Sequence, residues 1–254
     1  MRKIITLFIL ISAVLLAACS SQQDIYSAYR SKNAETIYHT GVTAYHKGDY
    51  ETASENFGAL DALYPFSPYS QDARLKAIYA YYQAGDNDTA LAAADEYIRL
   101  YPRSAHVDYA YYMKGIITYN SGLNWFQKIV GVDPSARDVS YMRDSFKTFQ
   151  QLIHNFPNSQ YRTDAELHMI YIRNMLAKHD IRIANFYLKR KAYVAAINRA
   201  NEVLEEFEGS PSTEDALVVR VKAYRALQMD KLANESLMLL QKNYPDSKQL
   251  KEIS

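Results

Sequence analysis

Five short phrases recur along the chain and constrain its fold more than any other feature. They are Tyr64-Pro65-Phe66-Ser67, Tyr101-Pro102-Arg103-Ser104, Phe156-Pro157-Asn158-Ser159, Phe207-Glu208-Gly209-Ser210 and Tyr244-Pro245-Asp246-Ser247. Twelve residues before the second member of each phrase stands a small residue: Ala53, Ala90, Ser145, Ala196 and Ala233. Successive members of this set lie 37, 55, 51 and 37 residues apart. The two long intervals exceed 37 by 18 and by 14 residues. One unit of 37 residues, used five times and carrying two insertions, accounts for every interval. Such a period marks a repeat architecture, in which each unit buries its apolar face only against its neighbours.

Each unit reads as two helices. In the first, a helical stretch from Glu35 to Lys47 breaks at Gly48-Asp49, and a second runs from Tyr50 to Leu63 and stops at Pro65. Proline cannot continue a helix, and it pushes the residue before it out of helical geometry. The second unit has the same plan, with its turn at Gly85-Asp86 and its stop at Pro102. Small residues at Gly41, Gly115, Ala184, Ala53 and Ala196 stand where paired helices must approach closely. The pattern resembles the tetratricopeptide repeat, which places a small residue in each helix and a proline at the end. The 18 extra residues fall in repeat three, around Ser121 to Asp138. They include Gly122, Trp125, Phe126, Gly131 and Pro134, and so predict an irregular loop. The 14 extra residues open repeat four without a Gly or Pro, which predicts one long helix from about Thr163 to Lys189. The expected fold is therefore all-α: an elongated solenoid of five tetratricopeptide-like helix pairs in one domain across residues 34–254.

Composition agrees. Of 254 residues only 8 are Gly and 7 Pro, fewer than an all-β sandwich needs for its turns. A net charge of +1, with no basic run, argues against nucleic acid as a partner. The single Cys excludes a disulfide framework and a cysteine zinc cluster. The six His, at 39, 46, 106, 154, 168 and 179, form no His-Glu-x-x-His pair. Asp86 and Asp88 read as a solvated turn. There is no phosphate-cradling glycine loop and no Gly-x-Ser-x-Gly elbow, so neither catalysis nor a metal or other cofactor is expected.

The N-terminus carries an address. Met1-Arg2-Lys3 is a short positive start, Ile4 to Leu16 is apolar apart from Thr6 and Ser12, and Leu16-Ala17-Ala18-Cys19 follows. This is the layout of a secretory signal peptide, here residues 1–18. Small residues directly before Cys resemble the bacterial lipobox. That resemblance implies cleavage before Cys19 and a covalent S-diacylglycerol and N-palmitoyl anchor on it. The competing reading is an ordinary signal peptide with an accidental Cys. Ser20, rather than Asp, after the Cys resembles an outer-membrane sorting signal, which implies a protein facing the periplasm. The polar stretch from Ser20 to Asn33 reads as a tether.

Tyrosine is the compositional outlier, at 23 against 9 Phe and 1 Trp. In tetratricopeptide arrays the first helix of each repeat lines a concave face. With Ala53 taken as position 20, groove positions fall near 2, 5, 9 and 12. Repeat one then presents Glu35, Tyr38, Val42 and Tyr45; repeat two Asp72, Leu75, Tyr79 and Tyr82; repeat three Tyr109, Tyr112, Ile116 and Tyr119. Repeats four and five present Lys178, Ile181, Asn185 and Leu188, then Asp215, Val218, Lys222 and Arg225. The expected groove is aromatic in the first half and more polar and basic in the second. Rigid aromatic anchors suit an extended or helical peptide; the competing reading places these tyrosines in the core between repeats.

A lipobox, a short tether and five such repeats together resemble the BamD family, the lipoproteins of the β-barrel assembly machinery. The most specific phrases are Gly131-Val132-Asp133 with Arg137-Asp138, Phe156-Pro157-Asn158-Ser159-Gln160-Tyr161 with Thr163-Asp164-Ala165, Leu176-Ala177-Lys178 and Asn198-Arg199. The resemblance implies a scaffold for folding and inserting outer-membrane β-barrel proteins. It implies that the C-terminal repeats bind the periplasmic POTRA domains of BamA, with Arg199 the first choice for a BamA-facing residue; a solvated helix charge is the competing reading of Arg199. It also implies contact with BamC and other lipoproteins of the complex, and N-terminal repeats that receive unfolded outer-membrane proteins. Their C-terminal signal ends in an aromatic residue, which fits an aromatic groove. Two other classes remain open on sequence alone: a pilotin-like periplasmic scaffold, and a non-catalytic regulator of a cell-wall enzyme.

Overall fold

The computed structural model of the protein describes residues 26–122, 135 and 138–253. Among these, every regular element is helical. After a 3-10 turn at Ser27–Tyr29, ten helices follow one another as five pairs. They are α1 (Ala34–Lys47) and α2 (Tyr50–Leu63); α3 (Ser70–Gln83) and α4 (Asn87–Leu100); α5 (Val107–Ser121) and α6 (Ser140–Asn155); α7 (Arg162–Lys189) and α8 (Tyr193–Glu206); α9 (Thr213–Ala226) and α10 (Asp230–Asn243). A short α11 (Lys248–Ile253) closes the chain. The bounds of α2 are those read from the sequence. The long helix begins at Arg162, one residue earlier than expected. Where the sequence suggests one domain across 34–254, the chain divides between Ala80 and Tyr81 into two compact units. In the first, α1 packs on α2; in the second, each helix from α4 to α10 packs on the next.

The recurring phrases have a common geometry. The aromatic residue caps the second helix in a non-helical conformation, at φ −135° for Tyr64, −126° for Tyr101 and −131° for Phe156. Three residues on, the serine N–H donates back to the aromatic carbonyl, at 3.0–3.1 Å in all five repeats. Repeat four, which has Glu208-Gly209 in place of proline, makes the same Ser210-to-Phe207 bond. The serine therefore recurs because it closes a turn. The small residues at position 20 are buried where the helices cross, none of the five more than 1% exposed.

The turn within a pair needs a left-handed residue. Gly48 and Gly85 supply it at φ +78° and +86°, where a glycine meets no steric penalty. Asp49 and Asp86 then cap the next helix by accepting from the N–H of Thr52 and Thr89. In repeats four and five Lys191 and Gln228 occupy the same place at φ +61° and +58°. The turn geometry is thus retained where the glycine that signals it is absent.

Cys19, the signal peptide and the first part of the tether lie outside the described residues, as does most of the insertion in repeat three. The end of the tether is described and is fastened to the first repeat. The hydroxyl of Tyr64 donates to the carbonyl of Lys32 at 2.7 Å, and Asn33 caps α1 by accepting from the Thr36 N–H. At the other end, α11 packs on α9 and α10. Gln249 donates to Asp215, Ser247 to Glu214, and the Arg225 guanidinium to the Ile253 carbonyl. These contacts cover a face of the fifth repeat.

Candidate functional site

All seven tyrosines expected in a groove are half-buried. They fall in two sets, one in each compact unit. In the first unit, Tyr45 and Tyr79 lie 5.8 Å apart between ring centroids, and Tyr50 completes a triad at 5.8 and 5.5 Å. The rings meet edge-on or tilted, as their quadrupoles prefer. Tyr45 also leans on the core ring of Phe57.

Tyr38 is built into a separate clasp. It stacks on Tyr69 at 4.8 Å and 21°, and its hydroxyl donates to Asp72 Oδ2 at 2.6 Å. Tyr112 repeats the construction in the second unit. It stacks on Tyr161 at 4.8 Å and 18°, and donates to Asp164 Oδ2 at 2.7 Å. Tyr109 packs against the same Tyr161 ring. Tyr119 contacts Tyr141, Tyr171 and His168. Tyr82 accepts from the Asn120 amide at 2.9 Å.

Each hydroxyl of the clasp is therefore committed to a carboxylate, while the ring keeps part of its surface in water. These tyrosines join neighbouring helices and are half-buried, with part of each at the surface. Beside Tyr119, the exposed residues Leu167, Ile170 and Tyr171 of α7 add an apolar stripe at steps of three and four. Asp164, Leu167, His168 and Tyr171 form a shallow cleft with Tyr119.

The clasp has a pH signature. Burial, and then the bond to Asp72, push the Tyr38 hydroxyl up to about 12 from an ordinary 10.0. Burial and Asp164 raise Tyr112 likewise. The folded chain holds these protons more tightly than the unfolded chain, so the contribution is whole below pH 10 and is lost as pH rises toward about 12. Tyr38→Phe and Tyr112→Phe are each expected to cost about 0.5–1.5 kcal/mol. Both variants should lose stability less steeply above pH 10. Urea unfolding at pH 8 and pH 11 checks this, and an alkaline slope equal to the wild type's would count against the clasp.

The second half departs from the expected groove at two places. Ile181 and Val218 are only 5% and 3% exposed, so they belong to the core. They hold the register position of Tyr38 and Tyr112, which shows that this position packs between helices throughout. Lys178, Asn185, Lys222 and Arg225 are exposed. Arg199 is not a free surface charge: its guanidinium donates to Glu202 Oε2 at 2.7 Å and lies 3.5 Å from the buried Asp180 carboxylate. Sequence reasoning missed Asp180 and the clasp partners Tyr69, Tyr161 and Asp164. Among the described residues there is no group of His, Cys, Asp and Glu able to hold a metal, and no helix long and apolar enough to cross a membrane.

Comparison with known proteins places this architecture. The YfiO family model, described as an outer membrane lipoprotein, matches residues 30–240. The chain is 34% identical over 244 residues to the outer membrane protein assembly factor BamD of Pasteurella multocida (strain Pm70), covering 96% of this chain and 92% of that protein. It is 32% identical to BamD of Vibrio cholerae serotype O1, over 94% of this chain and 98% of the relative. BamD of Neisseria meningitidis serogroup B is 30% identical over 93% and 90%. Among solved structures, PilW, a type IV pilus biogenesis factor, covers 87% of this chain and 97% of its own at 16% identity and a TM-score of 0.35. That likeness is too weak to carry an argument about fold or role.

Proposed function

The chain belongs to the BamD (YfiO) family of outer-membrane lipoproteins, and from that premise we propose that it is an assembly factor for outer-membrane proteins. In this reading a lipid on Cys19 holds it to the outer membrane, facing the periplasm. The C-terminal repeats scaffold the POTRA domains of BamA, with Arg199 on that side. The aromatic surfaces receive unfolded outer-membrane proteins. BamC and other lipoproteins of the complex are further partners, and the chain itself performs no catalysis and uses no cofactor beyond its lipid.

One observation carries the reading. The similarity to BamD proteins extends over nearly the whole of both chains, so it covers the full set of repeats and is not confined to a motif many scaffolds share. The half-buried tyrosines support the client-binding part. A ring packed on one side and wet on the other gives a rigid anchor at small entropic cost.

Affinity purification from solubilised membranes tests the proposal. BamA is expected among the recovered proteins; recovery of a secretin or a wall hydrolase alone would overturn it. The client surface is tested separately by Tyr45→Ala, Tyr82→Ala and Tyr119→Ala. Each is expected to weaken binding of a peptide ending in an aromatic residue by more than its effect on stability explains. Lowered stability with unchanged peptide binding would return these residues to a packing role.

A further inference from the structure

The third member of the recurring phrase is polar or Gly in four repeats, as Arg103, Asn158, Gly209 and Asp246, but in the first it is Phe66. The turn itself does not call for a ring there. Its bonds come from the backbone and the serines. The Ser67 N–H donates to the Tyr64 carbonyl at 3.1 Å, the Ser70 hydroxyl donates to the same carbonyl at 2.7 Å, and the two serine hydroxyls lie 2.8 Å apart. Pro65 and Pro68 stiffen the tip on either side. The Phe66 ring is 99% exposed. A rigid turn thus holds a large apolar group out in water, where the fold gains nothing from it.

The same turn is where the tether is fastened, through the Tyr64 hydroxyl and the Lys32 carbonyl. The residues before Lys32 form a short collar. Tyr26 and Tyr29 meet edge-on at 6.3 Å, and the Lys32 ammonium lies 4.8 Å over the Tyr29 ring. Backbone bonds from Tyr29 to Tyr26 and from Lys32 to Tyr29 wind the collar tightly. At a rise of about 2 Å per residue, Tyr26 stands about 12 Å from Lys32. Tyr26 is seven residues after Cys19. Fully extended, that stretch spans at most roughly 25 Å. A lipid on Cys19 therefore keeps the collar, and the tip fastened to it, close to the bilayer surface. Glu55 and Asp61 of α2 face the collar tyrosines, so the cations Arg30 and Lys32 are balanced. An attachment here is made by rings and not by net charge. The boundary between headgroups and acyl chains suits such groups: an apolar ring enters it, while tyrosines and lysines keep their polar ends in the headgroups.

We propose that the tip of repeat one is a membrane-docking point: Phe66 enters the headgroup–acyl boundary of the bilayer that holds the Cys19 lipid, with Tyr26, Tyr29 and Lys32 along that surface. The inference rests on the reading that Cys19 is lipidated. It adds a second, non-covalent contact, which sets the end of the first unit that faces lipid.

Thiol labelling of the full mature chain tests it, with the chain reconstituted in vesicles of phosphatidylethanolamine and phosphatidylglycerol. Cys19 is the only Cys, so with its sulfur lipidated one introduced thiol reacts alone. Pro68→Cys places that thiol at an exposed position two residues from Phe66. It is expected to react with a water-soluble maleimide about tenfold more slowly on vesicles than in an unlipidated Cys19→Ala chain free in solution. Glu51→Cys, at the other end of α2 and about 18 Å away along it, is expected to react equally fast in both. Adding Phe66→Ser to Pro68→Cys is expected to restore the fast rate with helicity retained, because the ring packs on nothing. Equal rates for Pro68→Cys on and off vesicles would overturn the proposal, as would slowing that survives Phe66→Ser. Protection that appears only when BamA is added would also overturn it and make the tip a protein contact. If the chain does not float with the vesicles, the Cys19 reading fails and takes the proposal with it. A chain that floats with an unprotected tip leaves that reading standing and overturns the docking alone.

Discussion

Phe149→Ala is expected to cost about 3–5 kcal/mol. The ring is 0% exposed. It fills the space left by Gly115 on α5, where an added Cβ would stand 2.5 Å from its Cε1. It also stacks on His168 of α7 at 5.4 Å and 15°. One ring from α6 therefore meets both neighbouring helices, and Gly115 has no side chain to fall into the void. Gly115→Val approaches the same contact from the other side, and overpacking is expected to cost about 1–3 kcal/mol. The first unit repeats the design: Phe57 is 1% exposed and lies 2.8 Å from where a Gly41 Cβ would stand. Urea unfolding followed by circular dichroism measures these losses. The control is Phe66→Ala, at a ring 99% exposed, expected to stay within about 0.5 kcal/mol. A Phe149→Ala loss as small as the control's would refute the account of this contact.

Much of this was legible in the sequence because it depends on local chemistry that recurs. Position 20 is small and buried in all five repeats, and the aromatic-to-serine turn closes the same way in each. The long helix was legible because 28 residues from Arg162 to Lys189 contain no breaker. The sequence was less informative where a contact joins distant residues. Tyr38 and Tyr112 share a register, but the rings and acids that clasp them come from the next repeat. A signal for them exists. Tyr69 and Tyr161 each stand three residues before an Asp. They follow their partner tyrosines by 31 and 49 residues, a difference equal to the 18-residue insertion. Asp180 could also have been found, as the one acid on an apolar four-residue ladder. The link from Arg199 to Asp180 was not legible, because the sequence does not say which charges share a buried counterion.

The proposed anchor stands apart from all these contacts, since it would rest on one residue and on covalent chemistry. Each buried methylene contributes about 0.8 kcal/mol, and a single chain binds a membrane only marginally. The lipid that a lipobox implies on Cys19 adds several chains, enough to withstand removal of every protein contact. No described helix could take over that role. The informative variant is Cys19→Ala behind an ordinary cleavable secretory signal, so that export continues without lipidation. Membranes washed with high salt and urea, which strip protein-held proteins, are expected to retain the wild type and release nearly all of the variant. Incorporation of labelled palmitate is expected in the wild type and absent from the variant. The wash matters because a BamA complex would itself hold an unlipidated chain at the membrane. Release only after washing is thus the outcome that separates the lipid from the partner, and a variant that survives the wash would remove Cys19 as the anchor.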